Sequence, residues 1–449
     1  MDKKLSKRQQ AIRRRRIFLS LCAVVLAVSI AVIVLLVNVI SKSLKTDKPS
    51  KDKSSSIVSS QQEDTTPRVV SSATVVNTGD ILVHSTVLDG AKTGDGSYDF
   101  SAFFKNAQKY FKGADLAVAN LEVTLGGSEA GAYSGYPAFN TPDSLIETLK
   151  NSGISMLLTA NNHCYDTGLN GLKRTVNRLK EENLLVLGTR ASESESRYLV
   201  QNVDGVKIGM ACYTYENTTD NPSRKSINGN LVASEANNLI NSFSYERIDD
   251  FYSEAQSIIE SMRQDGADAI VFYMHWGQEY QLTENTWQRA IAQKLCNFGV
   301  DVIVGGHPHV LQPVSLLHSE DSQNTTVCVY SMGNSISNQR QEIMNPECVT
   351  GHTEDGMLFY YTFDKYSDGT TVLSSVDIVP TWVDKYKGGS GYLYTMYPLE
   401  NATDGASVFG LSGTAAEKSQ KSYARTKEIV GAGLTECQSA LGCDIRFGE

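Results

Sequence analysis

The stretch Glu284–Val310, ENTWQRAIAQKLCNFGVDVIVGGHPHV, runs from a helical pattern into a short strand and stops on two histidines. Its first part returns apolar residues at helical spacing, while VDVIV is a β-branched run of the kind that forms a buried strand. Histidine suits a buried strand poorly. The paired glycines Gly305 and Gly306 imply a close approach to the backbone just where the strand ends. His307 and His309, on either side of Pro308, are either incidental or one lip of a metal site.

The same alternation extends in both directions. ATVVNTGD precedes the amphipathic YDFSAFFKNAQKYFKG, and ADLAVANLE precedes the helix TPDSLIETLKNSG. ISMLLTANNH is followed by GLNGLKRTVNRLKEEN and LLVLGT, and FYSEAQSIIESMRQDG leads to ADAIVFYMHWG. TTVCVYSMGN, GMLFYYTFD and TVLSSVDIVPTWV then read as consecutive strands. The pattern predicts sheet sandwiched by helices, with antiparallel character added by the late strands.

The N-terminal end belongs to no core. Residues 1–16 carry eight Lys/Arg and one Asp, and the 24 residues Ile17–Ile40 carry no charge. As a helix those 24 would span roughly 36 Å, enough to cross a bilayer. The run is longer than a cleaved signal core and leads into SKSLK instead of a small-residue cleavage site. The basic cluster places the N-terminus in the cytoplasm, so the expectation is a single-pass protein of the cell membrane whose main domain is extracellular. Residues 41–71 read as a flexible polar linker, 72–386 as the globular domain, and 387–449 as a small C-terminal appendage. The chain carries −9 overall, which leaves −16 on residues 17–449 and argues against nucleic acid as a partner. Of eight cysteines, Cys22 lies in the span, and Cys437 and Cys443 are close enough to form a small loop. No Cys-x-x-Cys pair occurs, so no cysteine zinc site is indicated.

Polar residues gather where strands end. Asp80 closes the first strand, Asn120 and Glu122 the second, and Asn161, Asn162 and His163 the third. His275 closes a later one, and His307 and His309 follow the strand quoted above. Ligands of open α/β sheets bind beyond the carboxyl ends of strands. A single strand-terminal Asp, Asn or His is ordinary turn chemistry, but four of only seven histidines sit at such ends. Mixed carboxylate, imidazole and amide oxygen suits Mn, Fe or Zn. Three histidines, two carboxylates and an asparagine exceed the needs of one ion. Two divalent transition metal ions about 3.5–4 Å apart, sharing a carboxylate, would use them all. His84, Asn120, Asn161, Asp166 and Asn334 stand close by as further ligand or supporting candidates.

Together NTGDILVH, VANLEVTLGG, FNTPDSLIETLKNSGISMLLTANNHCYDTG, MHWGQEYQ, GGHPHVLQP and VYSMGNS resemble the CapA family of bacterial poly-γ-glutamate capsule biosynthesis proteins, which is related to the calcineurin-like metallophosphoesterases. The resemblance covers about residues 74 to 380. It implies a mixed α/β, metallophosphatase-like four-layer sandwich of two mixed β-sheets flanked by helices. It also implies Asp80 as the first metal carboxylate, Glu122 as the bridging one and Asn162 as a metal-binding amide. His275 and His307 would serve one ion and His309 the other, with His163 as the catalytic, transition-state histidine. The family's phosphoesterase relatives carry Asp-x-His in the first motif, where this chain has Leu82. The implied role is synthesis, export or surface handling of a poly-γ-glutamate-like polymer, by a metal-dependent hydrolase of the cell envelope. The rival readings are a phosphoesterase acting on an exported phosphorylated envelope component and a non-catalytic assembly partner of a membrane-bound polymer synthase.

Overall fold

The computed structural model describes residues 66–221, 224–343, 351–389 and 391–447. β1 (Val69–Ile81) begins three residues inside the stretch expected as linker and leads through α1 (Ser85–Ala91) and α2 (Gln108–Lys112) to β2 (Leu116–Leu121). α3 (Ser144–Ser152) leads to β3 (Met156–Leu158), and α4 (Gly168–Glu181) to β4 (Leu185–Leu187). The four strands pair in parallel in that order. β2 is buried along its whole length, as a strand covered on both faces must be. α3 ends where Gly153 turns left-handed at φ 101° and its amide caps the carbonyls of Leu149 and Lys150. The segment 98–113, expected as one helix, is helical only over Gln108–Lys112. Before that, Phe103 and Ala107 bond three residues back in tight turns, which still send Phe100, Phe103, Phe104 and Phe111 inward.

The second half opens with strands that the sequence reading did not contain: the hairpin β5 (Tyr198–Val203) and β6 (Val206–Tyr215), the small hairpin β7 (Ser226–Ile227) and β8 (Asn230–Leu231), and β9 (Ser242–Phe243). α5 (Ile248–Gln264) leads to β10 (Ala269–His275), and α6 (Thr286–Asn297) to β11 (Val302–Gly306). A reciprocal capping box of Asn285 and Gln288 starts α6. β12 (Val314–His318) and β13 (Thr325–Val329) complete a seven-stranded sheet in the order β12-β13-β11-β10-β6-β5, with β9 beside β6.

β14 (Asn334–Ile336) returns to the first sheet and pairs in parallel with β1. β15 (Asp355–Tyr366), β16 (Thr371–Lys387) and β17 (Tyr392–Pro398) then extend that sheet with antiparallel partners, giving eight strands. The late strands are therefore divided: β13 lies in one sheet, β15 and β16 in the other. The sheets meet face to face. Val75, Val118, Met156 and Phe359 of the first share one core with Ile208, Val271, Val302 and Val327 of the second. The hydroxyls of Tyr273 and Tyr361 meet at 3.0 Å across it. Outside, Phe111, Leu145 and Leu149 cover the first sheet, and Phe251, Ile258 and Leu295 the second. The result is a mixed α/β helix–sheet–sheet–helix layering.

The section after Lys387 is woven into this body. α7 (Asp404–Ser407) is followed by α8 (Gly413–Leu441), whose Val430, Leu434 and Cys437 join the core between the sheets. Arg425 grips Asp355 through two bonds of 2.6 Å. Residues 66–449 form one compact unit. The small loop expected from Cys437 and Cys443 is not closed by a disulfide: both are free, and α8 continues through Cys437 and turns it into the core. The expected membrane span, Ile17–Ile40, lies outside the described residues; among those, no helix is long and apolar enough to cross a membrane.

Gly433 tests the docking of α8. Gly→Ala inside a free helix stabilises by up to about 1 kcal/mol. Here a Cβ would sit 1.7 Å from the Val314 carbonyl oxygen. Gly433→Ala is expected to destabilise the chain by about 2 kcal/mol or more in denaturant titration. A stabilised variant would mean that α8 stands away from β12.

Candidate metal centre

The backbone brings the strand ends of both sheets to one edge. Asp80 sits at a bulge of β1, where its amide donates to the Gly333 carbonyl at 3.0 Å. That approach requires Gly79, because a Cβ there would lie 2.1 Å from the same oxygen. Asn120 is near the end of β2 with Glu122 just beyond it, Asn161–His163 follow β3, His275 is the last residue of β10, and His307 and His309 follow β11. The two glycines before the histidines act differently. A Cβ on Gly305 would strike the Tyr330 carbonyl at 2.0 Å and the Trp276 indole at 2.6 Å, so Gly305 serves packing. A Cβ on Gly306 would lie 2.9 Å from Asp80 Oδ1, so Gly306 admits the carboxylate. His307 and His309 are both left-handed, at φ 96° and 57°, an arrangement that non-glycine residues hold only when their surroundings enforce it.

These residues fall into two groups with one shared member. Ligand atoms of Glu122, His275 and His307 lie within 4.8 Å of one another, and so do those of Asp80, Glu122 and His309. Glu122 Oε1 is 3.5 Å from His275 Nε2 and 3.7 Å from His309 Nε2. Asn162 Oδ1 stands 2.8 Å from His275 Nε2, on the side of the first group. His309 Nδ1 is 3.3 Å from Asp80 Oδ2.

The electrostatics suit a cation. Burial drives the Asp80 carboxyl upward, but its hydrogen bonds with His309 and with the Asn120 amide hold it below the usual range. Burial, then the charges of Asp80 and Glu279, push Glu122 well above the usual carboxylate range. Burial pushes the His275 pKa down to about 3 and holds His307 well below its usual value. Neutral imidazole is the form that binds metals. Both Glu122 oxygens and His307 Nδ1 are buried without a hydrogen-bond partner among the described residues. Buried polar atoms are otherwise nearly always paired, and these orphans are metal donors, so the residues fit divalent metal ions.

The neighbours brace the donors. Asn120 donates to Asp80 Oδ1 at 2.7 Å, and Asn161 donates to Asn120 Oδ1 at 3.1 Å and to the Leu121 carbonyl at 2.8 Å. Asn334 Oδ1 faces His309 Nδ1 at 3.1 Å and fixes the ring. His163 Nδ1 lies 2.8 Å from Asp166 Oδ2, which also accepts from the Phe139 amide at 2.7 Å. His84 belongs to neither group. Its Nδ1 accepts from the Asn338 amide at 3.2 Å, and its ring packs edge-on to Phe139, which in turn packs edge-on to His163. Leu82 is buried in the outer core. Trp276 is buried, with Nε1 donating to the Tyr330 carbonyl at 2.9 Å, whereas Tyr280 stands at the rim beside His309. One residue escaped the sequence reading: Glu279, exposed, forms a third group with His307 and His309. Its only signal was a position four residues after His275, inside MHWGQEYQ.

Glu122→Gln replaces the shared carboxyl, which burial pushes well above the usual carboxylate range, by a neutral group of the same shape. The metal-free Tm should stay level or rise, while the Tm increase on adding Mn2+ disappears. In the wild type, burial raises Glu122 well above the usual carboxylate range, so binding that needs its ionised form should strengthen as pH rises, read by calorimetry. Affinity independent of pH would place the bound ion elsewhere.

Comparison with known proteins follows the same residues. The family described as "Bacterial capsule synthesis protein PGA_cap" matches residues 74–339, a stretch holding every residue of these groups. The PGA biosynthesis protein CapA of Bacillus subtilis (strain 168) is 28% identical over 62% of this chain and 65% of its own length. The capsule biosynthesis protein CapA of Bacillus anthracis is 26% identical over 68% of this chain and 66% of its own length. The matched region thus spans just under two thirds of either relative. Among solved structures, the calcineurin-like phosphoesterase YfkN from Bacillus subtilis is a distant likeness, with a TM-score of 0.37 at 14% identity over 80% of this chain and 98% of that one. With more than half of its residues matched, this chain belongs to the bacterial capsule synthesis protein family PGA_cap.

Proposed function

We propose that the chain is a membrane-anchored hydrolase of capsule biosynthesis, built on a dinuclear centre of Mn, Fe or Zn. It would act outside the cell on a poly-γ-glutamate-like polymer or its envelope intermediates, tethered through residues 17–40. The observation that carries this reading is Glu122: a buried carboxyl with no hydrogen-bond partner among the described residues, shared by two histidine-containing groups. A pair of bound divalent ions would supply Lewis acidity and hold an anionic substrate oxygen.

The chain's own residues supply the rest. Asp80, Glu122, Asn162, His275, His307 and His309 hold charge at the edge where the sheets meet. The Asp166 carboxylate accepts the Nδ1 proton of His163 in a hydrogen bond, which fixes the ring and leaves Nε2 for a proton delivered to the leaving group. The Phe139 ring, 4.6 Å away and edge-on, keeps His163 from rotating out. The body's negative charge keeps an anionic polymer off most of the surface, so recognition must be local to the centre.

The dyad of His163 and Asp166 favours a second reading within the same site: cleavage of an exported phosphoester. Purified full-length protein loaded with Mn2+ would be offered γ-glutamyl polymer and a panel of phosphomonoesters and diesters. We expect turnover in one class, lowered by about 10²–10⁴-fold in His163→Ala with metal content unchanged. Full metal loading with no turnover, and normal capsule in a His163→Ala strain, would contradict catalysis and favour an assembly role beside a membrane polymer synthase.

A further inference from the structure

We propose that Glu279 is a ligand of the metal centre, closing it on the solvent side. The inference rests on the dinuclear reading above. The two groups are unequal. Glu122, His275 and His307, with the Asn162 amide oxygen beside His275, give one position four donors. Asp80, Glu122 and His309 give the other three. Transition metals of this kind take four or more donors.

Three polar side chains around the second position are engaged elsewhere. Asn334 spends its amide nitrogen on the carbonyls of His309 and Thr353 and on Gln339, and its oxygen faces His309. Asn120 gives its nitrogen to Asp80 and its oxygen to Asn161. His84 Nδ1 is taken by the Asn338 amide, and Leu82 is apolar and buried. Glu279 remains. Its carboxylate lies within 4.8 Å of ligand atoms of both His307 and His309, and His307 Nδ1 is a buried atom without a partner.

The loop that carries Glu279 is built to hold it there. It leaves β10 at His275, is pinned by Trp276 in the core, and turns at Gly277, left-handed at φ 89°. It turns again at Tyr280, left-handed at φ 64°. Two backbone bonds lace this loop to the histidine segment: Trp276 N to the Gly306 carbonyl at 3.2 Å and Tyr280 N to the Pro308 carbonyl at 2.8 Å. Glu279 lies between those two anchors. Its negative charge is also among the causes that raise Glu122. Unlike the other donors it is exposed, so it occupies the direction from which a substrate oxygen would arrive and is the donor that such an oxygen would displace.

Mn2+ titration of the metal-stripped, full-length chain, followed by calorimetry and by elemental analysis after dialysis, tests the assignment. The wild type should take two ions per chain. Glu279→Gln should keep one at unchanged affinity and bind the second at least about tenfold more weakly. Glu279→Asp, which keeps the charge but draws the carboxylate back by one methylene, should also weaken the second ion. Because Glu279 is exposed, the metal-free variants should melt with the wild type, which separates lost ligation from lost folding. Two wild-type affinities in Glu279→Gln, or a full second site in Glu279→Asp, would overturn the assignment and leave the dinuclear reading standing. A wild-type chain that takes no Mn2+ would overturn both.

Discussion

The structure turns on a buried carboxylate that no hydrogen bond satisfies among the described residues. Glu122 is fully buried, both its oxygens lack hydrogen-bond partners among the described residues, and burial, then the charge of Asp80, pushes its proton affinity up. Left ionised and alone, such a group costs several kcal/mol. Burial accordingly raises its pKa well above the usual carboxylate range, and a cation beside it would offset the cost of ionising it. The unpartnered His307 Nδ1 and the left-handed backbone at His307 and His309 belong to the same account. Each is locally unfavourable, and all meet at one point.

Neither sheet could build this point alone. Asp80, Glu122 and Asn162 come from strand ends of the first sheet, and His275, His307 and His309 from the second. The ions would therefore join the two halves of the sandwich, and their binding would add to the packing between them. A ligand present at a hundredfold its Kd contributes about 2.7 kcal/mol. Gly306 allows the close approach that brings the halves together, since a side chain there would collide with Asp80, while Gly79 lets the segment before β14 close on β1 within the first sheet.

Much of the site was legible because it obeys a local rule. Strand patterns ending in Asp80, Glu122, Asn162, His275 and His307 needed only the carboxyl-end principle and the scarcity of histidine. Glu279 was not legible, because it sits past a strand end in a loop whose course is set by Gly277 and by hydrogen bonds to a distant segment. His84 was open from its spacing between a ligand or supporting role and a loop residue; the Asn338 amide, 254 positions away, takes its Nδ1. The helices and parallel strands were visible in apolar periodicity. Which sheet each late strand joins was not, since β13 and β15 are equally apolar and only the long-range pairing separates them. The core role of α8 was hidden for a similar reason: its buried stripe, Val430, Leu434 and Cys437, is short within a polar helix.

Anomalous diffraction from crystals grown with Mn2+ tests the central claim most directly. The account predicts two peaks flanking Glu122, one beside His275 and His307 and the other beside Asp80 and His309. A Glu122 carboxyl with no metal on either side, in crystals where Mn2+ is bound elsewhere on the chain, would contradict it.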